Sequence, residues 1–104
     1  MIKDKIRHIK LYRDQIKLIK KINYQGKYHF ESSCLVVKDG LDCSDNQLTS
    51  LPDNLVVNGN LNCHNNQLTR LPDNLVVKGN LYCGYNKVKL KLPTNVKIGG
   101  NFYA

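Results

Sequence analysis

From residue 41 onward, the apolar and polar positions of the chain repeat with a period of about twenty residues. Residues 41–60 read LDCSDNQLTSLPDNLVVNGN and residues 61–80 read LNCHNNQLTRLPDNLVVKGN, with fifteen of the twenty positions identical. A looser third copy, LYCGYNKVKLKLPTNVKIGGN, spans residues 81–101 and is one residue longer, and residues 102–104 read as the start of a fourth. Such self-similarity predicts stacked repeats, each of which buries its apolar face only against its neighbours.

Each repeat contains two short strand-like segments separated by a Gly-Asn turn. The segment 55–57 precedes Gly59-Asn60, and the segment 61–63 follows it. Because side chains alternate along a strand, the first and third residues of each segment should point inward. Residues 35–37 align with residues 55–57, so half a repeat precedes the first full copy.

Stacking the copies in register predicts columns in which each apolar residue lies over its equivalent. A buried Leu or Val contributes about 1.5–3 kcal/mol, so about twenty such positions could hold a small chain together. The extra residue of the third copy falls between Val88 and Leu92, where we expect a small bulge. The expected columns are Leu35/Leu55/Leu75/Val96, Val37/Val57/Val77/Ile98, Leu41/Leu61/Leu81/Phe102, Leu48/Leu68/Val88 and Leu51/Leu71/Leu92.

Residues 1–22 follow a helical period. Apolar residues recur there at steps of three or four and form one stripe, and the segment 23–26 is typical of a helix end and turn. The prediction is an α+β repeat solenoid in one domain. Its amphipathic capping helix and cap lie in residues 1–34, and a leucine-rich-repeat or β-solenoid of about three and a half coils with parallel strands lies in residues 35–104. The stripe consists of Ile2, Ile6, Ile9, Tyr12, Ile16 and Ile19.

The repeat resembles that of a known family. The pattern Leu61-x-Cys63-x-x-Asn66-x-Leu68-x-x-Leu71-Pro72 is similar to the core of leucine-rich repeats, and to the short, roughly twenty-residue kind of bacterial effector and phage proteins in particular. The resemblance covers residues 35–104. It implies a curved coil with a parallel sheet on its concave face and a role in binding other proteins. The Asn-Leu-Val-Val-x-Gly-Asn segment departs from the family and predicts a flatter, more β-solenoid-like cross-section.

Two further columns carry polar or reactive atoms. Asn46, Asn66 and Asn86 are expected to bond backbone groups where the coil leaves the strand. The cysteines at 43, 63 and 83 recur at an inward position and are interpreted as small core residues. A line of parallel thiols lacks the tetrahedral arrangement of a zinc site and the dihedral of a disulfide, although redox sensitivity and metal binding stay open as alternatives. Cys34 lies outside this column, and no role is assigned to it.

The sequence contains no pattern typical of an enzyme. It lacks a Gly-rich phosphate loop and a G-x-S-x-G elbow, and its three histidines are scattered. We therefore predict that the protein is not an enzyme and that it uses no cofactor or metal.

The outward positions vary while the inward ones stay constant. Three outward columns are expected, and their tyrosines fall in the later copies. The columns are Asp42/Asn62/Tyr82/Tyr103, Ser44/His64/Gly84 and Asp45/Asn65/Tyr85. We predict that a protein partner docks on the concave face, and that the chain acts as a small inhibitor or adaptor of a larger host protein. Alternatively, the tyrosines shield the last coil, or a second copy of the chain docks on the C-terminal edge to form a homodimer. The predicted binding residues are Asn62, His64, Tyr82, Tyr85 and Tyr103.

Charge is concentrated near the N-terminus. The formal net charge is +8, and residues 1–30 hold nine Lys/Arg against two Asp. This asymmetry points to an acidic partner, which could be a protein, a nucleic acid or a membrane surface, or else to a solvated helix face. The charged N-terminus lacks the apolar segment of a secretory signal, and no apolar run is long enough to span a membrane. We expect a cytoplasmic protein, in the cytoplasm of the bacterial host if a phage encodes it. The candidate anion-binding residues are Lys3, Arg7, Lys10, Arg13, Lys17, Lys20 and Lys21.

Overall fold

The described residues form one helix and two sheets. The computed structural model describes residues 2–104, with side chains from residue 9 onward. Strands β1-β2-β4-β6-β8 form a first sheet and strands β3-β5-β7-β9 form a second. The predicted helix followed by a parallel-stranded solenoid is confirmed, with about three turns. The elements are α1 (Ile2–Lys21), β1 (Tyr28–Glu31), β2 (Cys34–Val37), β3 (Leu41–Asp42), β4 (Leu55–Val57), β5 (Leu61–Asn62), β6 (Val76–Val77), β7 (Leu81–Tyr82), β8 (Lys97–Ile98) and β9 (Phe102–Tyr103).

The coils stack in the predicted register. In the first sheet Leu35 pairs with Leu55, and Val37 pairs with Val57, which pairs in turn with Val77. In the second sheet Leu41, Leu61, Leu81 and Phe102 form one continuous column. The leucines of these columns are 0–1% exposed, so the core lies between the two sheets. Within residues 2–104, all strand pairs between coils are parallel, and only β1 and β2 run antiparallel.

Two of the expected columns are wrong in the third copy. Val88 is 47% exposed and Leu92 is 46% exposed, whereas Leu90 is 3% exposed and joins the core cluster. With the extra residue, Leu90 enters the core two residues before the expected Leu92. The Leu92-Pro93 pair then points outward. Pro93 is exposed, although its equivalents Pro52 and Pro72 are buried.

The β1–β2 hairpin turns through two residues with left-handed backbone. Ser32 has φ 49° and Ser33 has φ 67°. Positive φ at both central residues is the signature of a type I′ turn, which matches the twist of antiparallel strands and usually contains Asn-Gly. The hairpin places β1 at the outer edge of the first sheet, beside the helix.

Helix α1 ends in a Schellman motif. The Tyr24 amide donates to the Ile19 carbonyl at 3.0 Å, and the Asn23 amide donates to the Lys20 carbonyl at 3.2 Å. Asn23 adopts φ 51°, a conformation that Asn tolerates better than most residues. The ring of Tyr24 packs against the core cluster, so this turn fixes the angle at which the helix meets the first coil.

The helix packs on the solenoid with only one edge of the predicted stripe, at Ile19, and with the apolar residues beside that edge. Leu18 and Ile19 are buried in the core, and Ile22 is partly buried against it. Ile9 and Tyr12, which belong to the predicted stripe, are 52% and 53% exposed. The side chains of Ile2 and Ile6 lie outside the described residues. Among the described residues, no helix is both long enough and apolar enough to cross a membrane.

A buried glutamine explains this orientation. Gln15 is 1% exposed, and its Nε2 donates to the Ser33 carbonyl at 3.0 Å and to the Asp53 carbonyl at 3.3 Å. Once the helix covers this end of the stack, a carbonyl beneath it that lacked a partner would be costly, so the helix itself supplies the donor. Because Gln15 must point into the solenoid, the neighbouring Ile9 and Tyr12 turn away from it.

The asparagine column connects each coil to the next. Asn66 Nδ2 donates to the carbonyls of Cys43 and Cys63, both at 3.0 Å. Its Oδ1 accepts from the amides of Asn46 at 3.1 Å and Leu48 at 2.9 Å. Asn86 repeats part of this pattern one coil later, where its Oδ1 accepts from the Leu68 amide at 3.0 Å. The predicted structural role of this column is confirmed.

A second asparagine column was not predicted. Asn60 Oδ1 accepts from the Asn80 amide at 2.7 Å, and Asn80 Oδ1 accepts from the Asn101 amide at 2.8 Å. A Cβ atom added to Gly79 would collide with Asn60 Oδ1. Glycine therefore precedes Asn80 and Asn101 because the asparagine side chain of the neighbouring coil occupies the space of a Cβ atom, and Gly59 precedes Asn60 because the backbone of Gly40 occupies that space.

We expect Gln15→Ala to lower the free energy of unfolding by about 1–3 kcal/mol, since the buried Gln15 side chain is lost and two partly buried carbonyls lose a donor. Urea titration followed by circular dichroism measures this change. Gln67→Ala is the matched control, because Gln67 is exposed and its loss should cost under about 0.5 kcal/mol. Equal midpoints for the two variants would contradict the role of Gln15.

Candidate functional site

The outer face of the second sheet carries the variable column predicted from the sequence. Asp42 pairs with Asn62, Asn62 with Tyr82, and Tyr82 with Tyr103, each one coil apart. Three of the five predicted binding residues therefore lie side by side on adjacent strands. We call this surface, completed by His64 and Tyr85 at the strand exits, the tyrosine face.

Two tyrosine rings on this face are stacked. The ring centroids of Tyr82 and Tyr103 lie 5.0 Å apart and their planes differ by 5°. Each hydroxyl accepts a hydrogen bond from the asparagine two residues earlier, from Asn80 Nδ2 at 3.1 Å and from Asn101 Nδ2 at 3.2 Å. Stacking and hydrogen bonding fix the rings in one orientation, so a partner would meet an ordered aromatic surface at low entropic cost.

The earlier members of the column have a structural task that the sequence reasoning missed. Asp42 Oδ1 accepts from the Ser44 amide at 3.0 Å and from the Ser44 hydroxyl at 2.6 Å. These two bonds hold the pKa of Asp42 below its ordinary value. Asn62 Oδ1 accepts from the His64 amide at 3.2 Å and is in hydrogen-bond contact with His64 Nδ1. The Asp-x-Ser and Asn-x-His spacings are typical of Asx turns and could have indicated this.

Tyr85 stands out by its backbone. It is 87% exposed and has φ 54°, in a column whose other members are Asp45 at φ 58° and Asn65 at φ 55°. Asp and Asn adopt left-handed backbone readily, whereas a bulky aromatic residue does so rarely. The ring gains almost no burial in return. Shielding of the last coil, one of the alternatives drawn from the sequence, therefore does not account for this tyrosine.

The cysteine column lies directly behind the tyrosine face. Cys43, Cys63 and Cys83 are 0–1% exposed, in agreement with their interpretation as core residues. Burial raises the pKa of Cys43 to about 12 and that of Cys83 to about 11. Burial and the two neighbouring thiols raise the pKa of Cys63 further. These thiols stay protonated at physiological pH, in which state they are weak nucleophiles and weak metal ligands.

The candidate anion-binding residues lie along α1, away from the tyrosine face. Lys10, Arg13, Lys17, Lys20 and Lys21 are all exposed. Lys10 Nζ bonds Asp14 Oδ2 at 2.9 Å, and this bond raises the pKa of Lys10. The side chains of Lys3 and Arg7 lie outside the described residues. A groove of about 470 Å³ separates the helix from the segment 47–53, and Lys10, Lys17, Lys21 and Arg70 lie on its wall.

The described part of the chain contains no group of three His, Cys, Asp or Glu residues placed to hold a metal ion. No protein-family model matches the chain, and no curated protein or solved structure is significantly similar to it.

We expect the thiols of the cysteine column to resist Ellman's reagent in the folded protein at about pH 8, where an ordinary thiol is partly ionised. Because burial raises their pKa, they should react only after unfolding. The half-buried Cys34 should be the first thiol to react, and Cys34→Ser should remove that fast phase. A fast phase that persists in Cys34→Ser would contradict the buried column.

Proposed function

We propose that the chain is a non-enzymatic protein-binding module whose partner docks on the tyrosine face. The observation that carries the proposal is Tyr85, an aromatic side chain 87% exposed on left-handed backbone. Residues held in sparsely populated backbone regions cost about 1–3 kcal/mol and cluster at ligand sites, where binding repays the strain. Asn65, one coil earlier, occupies the same backbone position without that cost.

The stacked pair adds to this argument. Tyrosine is enriched at binding hot spots because it combines a rigid apolar body with a polar tip. Tyr103 is 48% exposed, so part of its ring is free to contact a partner. With His64 and Asn62 beside the rings, the face offers aromatic contact next to hydrogen-bonding groups. A partner of matching chemistry would present an apolar residue surrounded by amide or carbonyl groups.

The proposal also covers the type of repeat, the mode of action and the cellular compartment. We infer a leucine-rich repeat of the short bacterial or phage type, acting as an inhibitor or adaptor of a larger protein in the cytoplasm. The buried amide of Asn66, which bonds two coils at once, supports the repeat type. Four cysteines without a disulfide among them favour a reducing compartment.

Self-association is a second candidate function. Strand β8 pairs only with β6, and β9 pairs only with β7, within the chain described here. Open strand edges and the exposed Val88 and Leu92 of the same coil offer main-chain and apolar contacts to another copy.

The binding proposal predicts that Tyr85→Asn weakens partner binding while it stabilises the fold. The substitution restores the residue of the second copy and relieves strain worth about 1 kcal/mol. Tyr82→Ala should also weaken binding, by roughly tenfold or more for a hot-spot residue. The tagged full chain is used to capture proteins from cells of its source, and recovery is quantified by mass spectrometry and then as a Kd with the purified partner.

Tyr28→Ala is the matched control, because Tyr28 is a partly exposed tyrosine on the first sheet. A partner lost with both tyrosine-face variants but retained with the control supports the proposal. A Tyr85→Asn variant that binds every captured protein as the parent does would overturn it.

The second candidate predicts concentration-dependent dimers in size-exclusion chromatography with light scattering. The Tyr103 carbonyl accepts from the Cys83 amide, so residue 103 faces β7 and residue 104 faces the open edge. Ala104→Pro therefore removes a main-chain donor from that edge and should abolish the dimers. A protein that stays monomeric at millimolar concentration excludes self-association and leaves the binding proposal intact.

A further inference from the structure

Helix α1 and strand β1 together expose an apolar surface that the solenoid does not cover. Ile9 and Tyr12 are 52% and 53% exposed, and Tyr28 and Phe30 are 38% and 37% exposed. Tyr12 lies against Phe30 with a centroid distance of 4.9 Å, and Phe30 meets Tyr28 edge-on at 6.0 Å. We call this surface, with the half-buried Ile16, the helix patch.

Cations border the helix patch on one side. A helix turns about 100° per residue, so Ile9 and Ile16 lie next to Lys20 and Arg13, with Lys17 beyond them. All three cations are exposed, and no ion pair engages any of them among the residues described. Asp14, the one acidic residue on the helix from residue 9 onward, lies on the far side of the cations and is bonded to Lys10. The apolar and aromatic groups of the helix patch and the cations at Arg13 and Lys20 therefore lie on adjoining sides of the helix, with Lys17 at the outer border.

We propose that the helix patch docks on an anionic lipid surface. Interfacial helices bury an apolar side to a depth of about 5–10 Å while their Lys and Arg side chains reach the headgroups. Tyrosine suits this boundary because its ring is apolar and its hydroxyl stays wet. The patch lies on the cap, while the tyrosine face lies on the second sheet, so the two surfaces can be occupied independently.

A lipid surface fits the patch better than a nucleic acid does. Single-stranded nucleic acids bind aromatic side chains through free ring faces, but Tyr12 and Phe30 pack on each other with planes tilted by 52°. Duplexes are bound through their phosphates and gain nothing from the exposed Ile9. The combination of aliphatic, aromatic and cationic groups matches the acyl, interfacial and headgroup layers of a bilayer.

The first test is co-sedimentation of the full chain with phosphatidylcholine vesicles, with and without phosphatidylserine. Binding should require phosphatidylserine and weaken as salt rises. The triple variant Arg13→Ala/Lys17→Ala/Lys20→Ala should bind about 100-fold more weakly, since each cation near an anionic surface is worth about fivefold.

The matched control is Lys87→Ala/Lys89→Ala/Lys91→Ala, which removes the same charge from exposed positions of the third repeat. It should retain most of the binding. Equal losses in the two triple variants would overturn the proposal, because net charge alone would then explain the attraction. Circular dichroism checks that both variants keep the fold.

The second test separates lipid from nucleic acid. Ile9→Asn changes no charge and should weaken vesicle binding about fivefold, since a half-exposed aliphatic side chain no longer enters the interface. The same variant is titrated with duplex DNA and single-stranded RNA. Vesicle binding that ignores Ile9→Asn, or nucleic-acid binding that is tighter than vesicle binding and lost in the helix triple variant, would overturn the proposal.

Discussion

Each coil of this protein leaves polar groups that only the next coil satisfies. The amide of Asn66 makes the point, because it accepts from backbone amides of one coil while it donates to carbonyls of two. Without it, the chain could not turn sharply out of the strand and keep its backbone groups paired in a dry interior. The leucine columns obey the same constraint, since a twenty-residue circuit closes around too small a core to be stable alone. Hydrogen bonding and apolar burial thus both require exact stacking, and this requirement holds the register.

In such a stack, the first and the last coil each have one side on which no further coil provides hydrogen-bond and packing partners. At the first coil the chain solves the problem with a helix, whose buried Gln15 donates to Ser33 and Asp53. The solution has a consequence, because orienting α1 for Gln15 leaves Ile9 and Tyr12 in solvent. At the last described coil, strands β8 and β9 keep unpaired edges, and the third repeat departs most from the other two. The residues that depart from the repeat therefore lie in the first and last coils, where a neighbouring coil is absent on one side of the stack described here.

This division explains what the sequence could and could not predict. Columns such as Leu41/Leu61/Leu81 could be predicted because the same residue recurs at the same position of every copy. The side of α1 that faces the core could not, since the helix occurs once and a buried glutamine looks like a polar surface residue in a stripe of isoleucines. That Leu90 and not Leu92 enters the core could not be predicted for a related reason. The added residue of the third copy changes which positions point inward, and no second copy of this length shows where the change occurs. The Asx turns at Asp42 and Asn62 are hard to predict because the same column positions change from Asp to Asn to Tyr, so the repeat itself does not indicate a shared structural role. The left-handed backbone of Tyr85 has no composition signal, and only its alignment with Asp45 and Asn65 could have indicated it.

Positions that depart from the repeat are informative because the other copies show which residue suits the same backbone position. At Tyr85 the backbone is the one that Asp45 and Asn65 adopt readily, so the tyrosine replaces a suitable residue with a strained one. On the helix, an alanine or a lysine at position 9 would solvate better than the isoleucine that stands there. Neither choice improves packing or hydrogen bonding within the chain, so neither follows from the constraint that organises the fold. A contact outside the chain would offset both the backbone strain at Tyr85 and the exposure of Ile9, and this supports both the tyrosine face and the helix patch as binding surfaces.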